Sequence, residues 1–361
     1  MHKQRLVKPD GRSLILYSRE PITGDLVAPS PNAAPLSANA HLRWHPLRGE
    51  WVAYASHRQH RTFLPPARYN PLAETNDDGH PTELPAAPWD VAVFENLFPT
   101  LLNAAHDPPD LIVPTRPAGG ACEVVVFTRD SGTTLGKLPL WHLDLLFEAW
   151  ADRYVELGAR PDVEYVFMFE NRGVEVGVTL SHPHGQIYAY PFVPPVPARE
   201  LHQQAEYHAA HGRGLLEDLF AREIRENRRL LYLGSHALAL VPVCARYSYE
   251  VWVAPLRPAA SVADLSCDER HDMAKALKTV LLKFDRLWDR PFPYIMVFHQ
   301  APADGRPHPE AHLHIEFYPA YRMRDRLKYL AGSEIGAGVF TADTLPEEKA
   351  AELQAIEVEL E

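Results

Sequence analysis

Hydrophobic and polar positions alternate along this chain in two periods, and the period changes in a regular order. Short apolar runs read as strands at Leu14 to Tyr17, Trp51 to Ala55, Val91 to Phe94, Glu123 to Thr128, Val166 to Phe169 and Ile187 to Tyr190. Between the fourth and fifth, Leu140 to Leu157 repeats at helical spacing, with Trp141, Leu145, Leu146, Ala149, Trp150 and Tyr154 on one stripe predicted to face the core. Farther on, Leu215 to Leu231 reads as a charged helix, Glu250 to Ala254 as a strand and Asp268 to Trp288 as a long amphipathic helix. Tyr294 to Phe298 and the stretch around His312-Leu313-His314 read as strands, and Glu-rich Pro346 to Leu360 as a surface helix. Each half thus runs strand, long helix, strand, loop, and a strand with histidines two apart, which marks a diverged internal repeat. The halves meet near Pro194-Pro195-Val196-Pro197, predicting units over 1–195 and 196–361.

Residues 1 to about 40 and 65 to 90 lack periodicity and are rich in proline. Against 19 glycines the chain has 34 prolines, and with aromatic residues plentiful this predicts ordered loops rather than disorder. At 361 residues, 46% hydrophobic and 23% charged, two soluble domains are expected. The net charge of -11 argues against a nucleic-acid partner. No run is long enough to span a bilayer, and the start carries no apolar signal segment, so no membrane partner is expected. Three cysteines, none in a CxxC pair, exclude a disulfide framework and point to the cytoplasm.

The candidate chemistry centres on Ser181-His182-Pro183-His184-Gly185-Gln186. On an extended chain His182, His184 and Gln186 would share one face, and Gly185 would admit close approach of another group. Two imidazoles and an amide on one side suit a metal site or a nucleophile with its supports. A second group, His57-Arg58-Gln59-His60-Arg61, crowds donors that match phosphate oxygens.

Phe169-Glu170-Asn171-Arg172-Gly173, Gly177 and the His-Pro-His-Gly-Gln run together resemble the galactose-1-phosphate uridylyltransferase branch of the histidine-triad superfamily. The likeness extends to Trp51 through Arg61, Pro293 through His299, His312 through Pro319 and Lys328 through Glu334. It implies an α+β fold of two tandem histidine-triad-like units sharing an extended, mainly antiparallel sheet with helices packed on it. It also implies transfer of a uridylyl group from UDP-glucose to galactose-1-phosphate by ping-pong displacement through uridylyl-His184. The alternative within the superfamily is a nucleotide-sugar or dinucleoside-polyphosphate phosphorylase.

By the same resemblance the His182 carbonyl orients His184, and Gln186 positions the transferred phosphorus. Arg58, Arg61, Asn96, Asn171 and Thr179 would hold the nucleotide, and Lys328 and Glu334 the hexose phosphate. Glu200, His299, His312 and His314 are the expected ligands of one structural zinc or iron, with His314 and Glu316 as the competing pair for the last two places. A further zinc site, built on CxxC in many relatives, is expected to be lost here: Tyr69-Asn70-Pro71-Leu72 has no cysteine, and Ser131 stands at the place of the third ligand. A homodimer is expected.

Overall fold

The computed structural model describes residues 1–32, 34, 38–60, 69–76 and 80–360. In chain order its strands are β1 (His2–Val7), β2 (Ser13–Ser18), β3 (His41–His45), β4 (Glu50–Tyr54), β5 (Val91–Glu95), β6 (Thr115–Pro117), β7 (Ala121–Val126), β8 (Tyr165–Arg172), β9 (His184–Tyr190), β10 (Leu230–Leu233), β11 (Ala237–Leu240), β12 (Val251–Pro255), β13 (Tyr294–His299) and β14 (His314–Pro319), followed by a short hairpin of Tyr321–Met323 with Arg326–Leu327. The helices are α1 (Leu140–Gly158), α2 (Pro195–His211), α3 (Leu215–Glu226), α4 (Cys267–Leu287) and α5 (Pro346–Gln354). Eleven strands form one sheet in the order β1-β2-β5-β7-β9-β8-β13-β14-β12-β11-β10, every pairing antiparallel. The remaining named strands, β4-β3-β6, make a separate small sheet.

The internal repeat predicted from the pattern is present. The order β5-β7-β9-β8 is mirrored by β13-β14-β12-β11, with α1 crossing from β7 to β8 and α4 from β12 to β13. The two units join edge to edge at β8 and β13, where Met296 pairs with Glu170 and Ile295 with Asn171. The sheet is buried on both faces, which is why its strands read as near-continuous apolar runs. On β2, Ile15 and Tyr17 enter the core under α1 and α4, while Leu14 and Leu16 enter a second core on the other face with Leu72, Leu84 and Trp89. On β9, Ile187 and Ala189 point toward the helices, so His184 and Gln186 point away from them. On β14, Ile315 and Phe317 do the same and leave His314 and Glu316 on the opposite face. The chemistry-bearing side chains of both units therefore share the sheet face that α1 and α4 do not cover.

Several expectations change. The Leu14 to Tyr17 run is flanked by a strand the apolar pattern does not mark, β1, which pairs along its whole length and forms the edge of the sheet. Trp141, expected in the core, is exposed in the first turn of α1 and lies under the Arg19 guanidinium at 5.4 Å. The charged helix ends at Glu226, because Asn227 adopts a left-handed conformation (φ 48°) and the chain turns into β10. The last helix stops at Gln354, and its Ala350 and Leu353 are buried rather than on the surface.

Candidate active site

His184 is the first residue of β9, and its neighbours fix what its ring can do. Its Nδ1 lies 2.7 Å from the His182 carbonyl oxygen. A carbonyl only accepts, so Nδ1 carries the proton and Nε2 keeps a free lone pair. Burial lowers the affinity of this imidazole for a second proton. Half-buried His184 lines a cavity of about 210 Å³ together with Gln186, Asn171, Thr179, Arg58 and Asn96. Six of the residues singled out by sequence thus meet around one space. Behind the ring, Gly185 is essential to the approach of its neighbours. A Cβ there would stand 2.8 Å from Phe127 Cζ and 2.9 Å from the Phe169 carbonyl oxygen.

Each of these groups is held by its own partners. The Arg58 guanidinium donates to the Phe98 carbonyl at 2.6 Å, and beside it His57 Nε2 donates to the Pro99 carbonyl at 2.8 Å. Asn96 caps its own turn by accepting from the Phe98 amide at 2.8 Å while still bordering the cavity. The Gln186 oxygen faces the Tyr188 hydroxyl at 3.4 Å. Arg61 lies outside the described residues. Sequence reasoning missed Tyr69, Leu72 and Glu83, which also line the cavity. Glu83 is held by two buried cations, Lys8 at 2.7 Å and Arg12 at 2.8 Å. The buried pairing of residues so distant in sequence leaves no local pattern to find.

His182 borders a second cavity on which His184 also opens, but its ring is tied down at both nitrogens. It precedes β9, is buried, and turns its Nε2 toward the Thr128 carbonyl at 2.7 Å and its Nδ1 toward the Asn70 amide nitrogen at 2.9 Å. That second cavity, of about 500 Å³, opens on the other side of His184 between Thr133, Glu170, Arg172, Ser181 and Arg290. Buried Glu170 accepts from the Tyr294 hydroxyl at 2.9 Å, and burial pushes its carboxyl up to about 7. Lys328 and Glu334 border neither cavity of His184. They lie 3.9 Å from each other in the segment after β14, with Lys328 donating to the Thr341 carbonyl at 2.6 Å.

In the second unit Glu200, His299 and His314 bring one ligand atom each within 4.8 Å of one another. Glu200 projects from α2, and His299 and His314 face each other across β13 and β14. His312, also expected as a ligand, borders the same small space, and its Nδ1 is buried without a hydrogen-bond partner among the described residues. Its Nε2 donates to the Pro255 carbonyl at 2.9 Å, and its ring packs on Phe220. Glu316 reaches His314 Nε2 at 3.4 Å. Carboxylate oxygens and imidazole nitrogens around a small polar space suit zinc or iron, so the residues present fit such an ion.

The hydrogen bonds of the two units repeat. His314 Nδ1 donates to the His312 carbonyl at 2.9 Å as His184 Nδ1 does to His182, and His312 and His182 each donate through Nε2 to a main-chain carbonyl. A free imidazole nitrogen beside an arginine, an amide and a hydroxyl, on a sheet made of two like units, suits the transfer of an anionic group. The comparisons with known proteins make the assignment finer. Residues 32–194 match the N-terminal domain model of galactose-1-phosphate uridyl transferase, and residues 200–360 match its C-terminal domain model. The chain is similar to the galactose-1-phosphate uridylyltransferase of Thermotoga maritima, with 37% identity over 88% of this chain and 99% of the relative. It superimposes on a solved uridylyltransferase structure with a TM-score of 0.79 and 34% identity, covering 87% of this chain and 98% of that one. An ADP-glucose phosphorylase from Arabidopsis thaliana shares the fold, with a TM-score of 0.66 at 22% identity over 89% of this chain and 100% of that one. This chain belongs to the galactose-1-phosphate uridylyltransferase family and is a nucleotidyltransferase. Among the described residues no helix is long and apolar enough to cross a membrane.

Proposed function

We propose that the chain moves a uridylyl group from UDP-glucose to galactose-1-phosphate through two displacements at His184. The observation that carries this reading is the hydrogen bond from His184 Nδ1 to the His182 carbonyl, which leaves Nε2 as a lone pair at the cavity. In the first step Nε2 bonds to the α-phosphorus, the bond from that phosphorus to the bridging oxygen breaks, and glucose-1-phosphate leaves with the electron pair. In the second step an oxygen of galactose-1-phosphate attacks the same phosphorus and Nε2 regains its lone pair. Splitting the transfer this way avoids a direct encounter of two anionic sugar phosphates. Arg58 supplies charge to the phosphates, Gln186 and Thr179 supply neutral hydrogen bonds, and Asn171 and Asn96 position the nucleotide.

Lys328 and Glu334 border neither cavity of their own chain, and we assign them to the hexose-phosphate site of a second copy in a homodimer. A zinc or iron ion held by Glu200, His299 and His314, with His312 or Glu316 as the fourth ligand, would supply structural order and no chemistry at His184. On the first unit no metal is expected, because Asn70 faces His182 where a ligand set would need a cysteine. Free cysteines and the acidic net charge fit a cytoplasmic enzyme without a nucleic-acid partner. The deciding experiment offers the enzyme UDP-glucose with either galactose-1-phosphate or inorganic phosphate. UDP-galactose in the first reaction and no UDP in the second supports the reading. UDP formed only with inorganic phosphate would mean a phosphorylase.

A further inference from the structure

The loop Tyr69-Asn70-Pro71-Leu72 borders the cavity through Tyr69, Pro71 and Leu72, but Asn70 turns inward. The orientation of its amide is fixed by two partners. Oδ1 accepts from the Leu72 main-chain N–H at 3.0 Å, so Nδ2 is the atom that faces His182 Nδ1 at 2.9 Å. His182 Nε2 must donate to the Thr128 carbonyl, so its Nδ1 holds a lone pair and accepts from Asn70. Every proton in this chain of bonds has one place, and the His182 ring is neutral and locked at both nitrogens. The peptide next to it is pinned as well, since the Pro183 carbonyl accepts from the Phe127 amide at 3.1 Å. The carbonyl that orients His184 belongs to this immobilised residue.

We propose that Asn70 is a positioning residue for the nucleophile: its amide bridges the cavity loop to His182 and thereby holds the His182 carbonyl, and with it His184 Nε2, in line with the substrate phosphorus. Asn70 touches neither His184 nor the cavity floor, so it acts only through His182. A displacement of a nucleophile by about 1 Å costs on the order of a hundredfold in rate. The inference rests on the uridylyl-transfer reading above.

The experiment compares wild type, Asn70→Asp and Asn70→Leu in a rapid-quench measurement of the first half-reaction with UDP-glucose, across pH. Asn70→Asp keeps an acceptor for the Leu72 amide and removes only the donor to His182. At neutral pH its half-reaction should slow by on the order of a hundredfold, and the loss should shrink at acid pH, where a protonated His182 can donate to the new carboxylate. The apparent affinity for UDP-glucose should stay within about threefold, because the loop keeps its own bond. A merely structural role would instead lower the rate alike at every pH, in step with a lower melting temperature, and that result would overturn the proposal. A wild-type rate in Asn70→Asp would overturn it too, while an adduct forming normally in wild type would leave the transfer reading intact. Should the variants not fold, imidazole 15N spectra of the wild-type protein decide: a neutral His182 with its proton on Nε2, and an Nδ1 signal that accepts a hydrogen bond, is required. A proton on Nδ1 would overturn the assignment.

Discussion

At the scale of single residues the account rests on where a few protons sit. His184 is a nucleophile only when neutral, and burial favours the neutral form by lowering its pKa from the ordinary 6.5. The sign follows directly. Protonation of Nε2 is shifted below the ordinary imidazole pKa, so the acid limb of the first half-reaction should be centred below pH 6.5. A single-turnover pH profile checks this, and an acid limb centred at or above 6.5 would contradict it. His184 and Gln186 are legible in the motif itself, because residues two apart on a strand share a face. His182 lies just before the strand, and what the motif does not reveal is that both its nitrogens are bonded, one to the Thr128 carbonyl and one to Asn70. Asn70 is legible only as a missing cysteine. Its bond to His182 spans 112 positions and leaves no periodic trace.

At the scale of elements, the position of β9 is set by how closely β8 and the Phe127 ring press on it. Gly185→Ala would push a methyl group into Phe127 and the Phe169 carbonyl. Overpacking of this kind costs about 1–3 kcal/mol. The variant should melt at a lower temperature and lose transfer activity beyond what the folded fraction explains, because His184 and Gln186 flank the displaced residue. Thermal melts and steady-state assays on the same preparation test this, and unchanged values in both would contradict the packing argument. Long elements are legible: α1 and α4 stand within a residue of their expected bounds at both ends. The hairpin strands β10 and β11 are not, since β10 follows three consecutive charged or polar residues, Asn227-Arg228-Arg229, that read as a continuing charged helix. Nor is β1, whose side chains alternate polar and apolar only weakly at an exposed edge.

At the scale of the whole molecule, one unit holds the cavity of His184 and its mirror holds the cluster of Glu200, His299 and His314. The same scaffold of His-x-His bonds serves both, with Gln186 in one unit standing where Glu316 stands in the other. The repeat is legible in the order of elements, but the choice between His312 and Glu316 is not, because both are two residues from His314 and share its face. An ion that binds the native state alone, present at a hundred times its Kd, adds about 2.7 kcal/mol of stability. His314→Ala should therefore remove the metal found by elemental analysis and lower the melting temperature, with the surviving folded fraction still forming the adduct. His312→Ala and Glu316→Ala, analysed in the same way, identify the fourth ligand as the residue whose loss also removes the metal. Retention of the metal in His314→Ala would contradict this assignment.

The central claim is a covalent bond between the substrate phosphorus and His184, and intact-mass measurement after incubation with UDP-glucose alone tests it most directly. The wild-type chain should gain the mass of one uridylyl group and lose it again on addition of galactose-1-phosphate, while His184→Asn should gain nothing. A wild-type enzyme that turns over without ever carrying the adduct, or an adduct that persists in His184→Asn, would contradict the account.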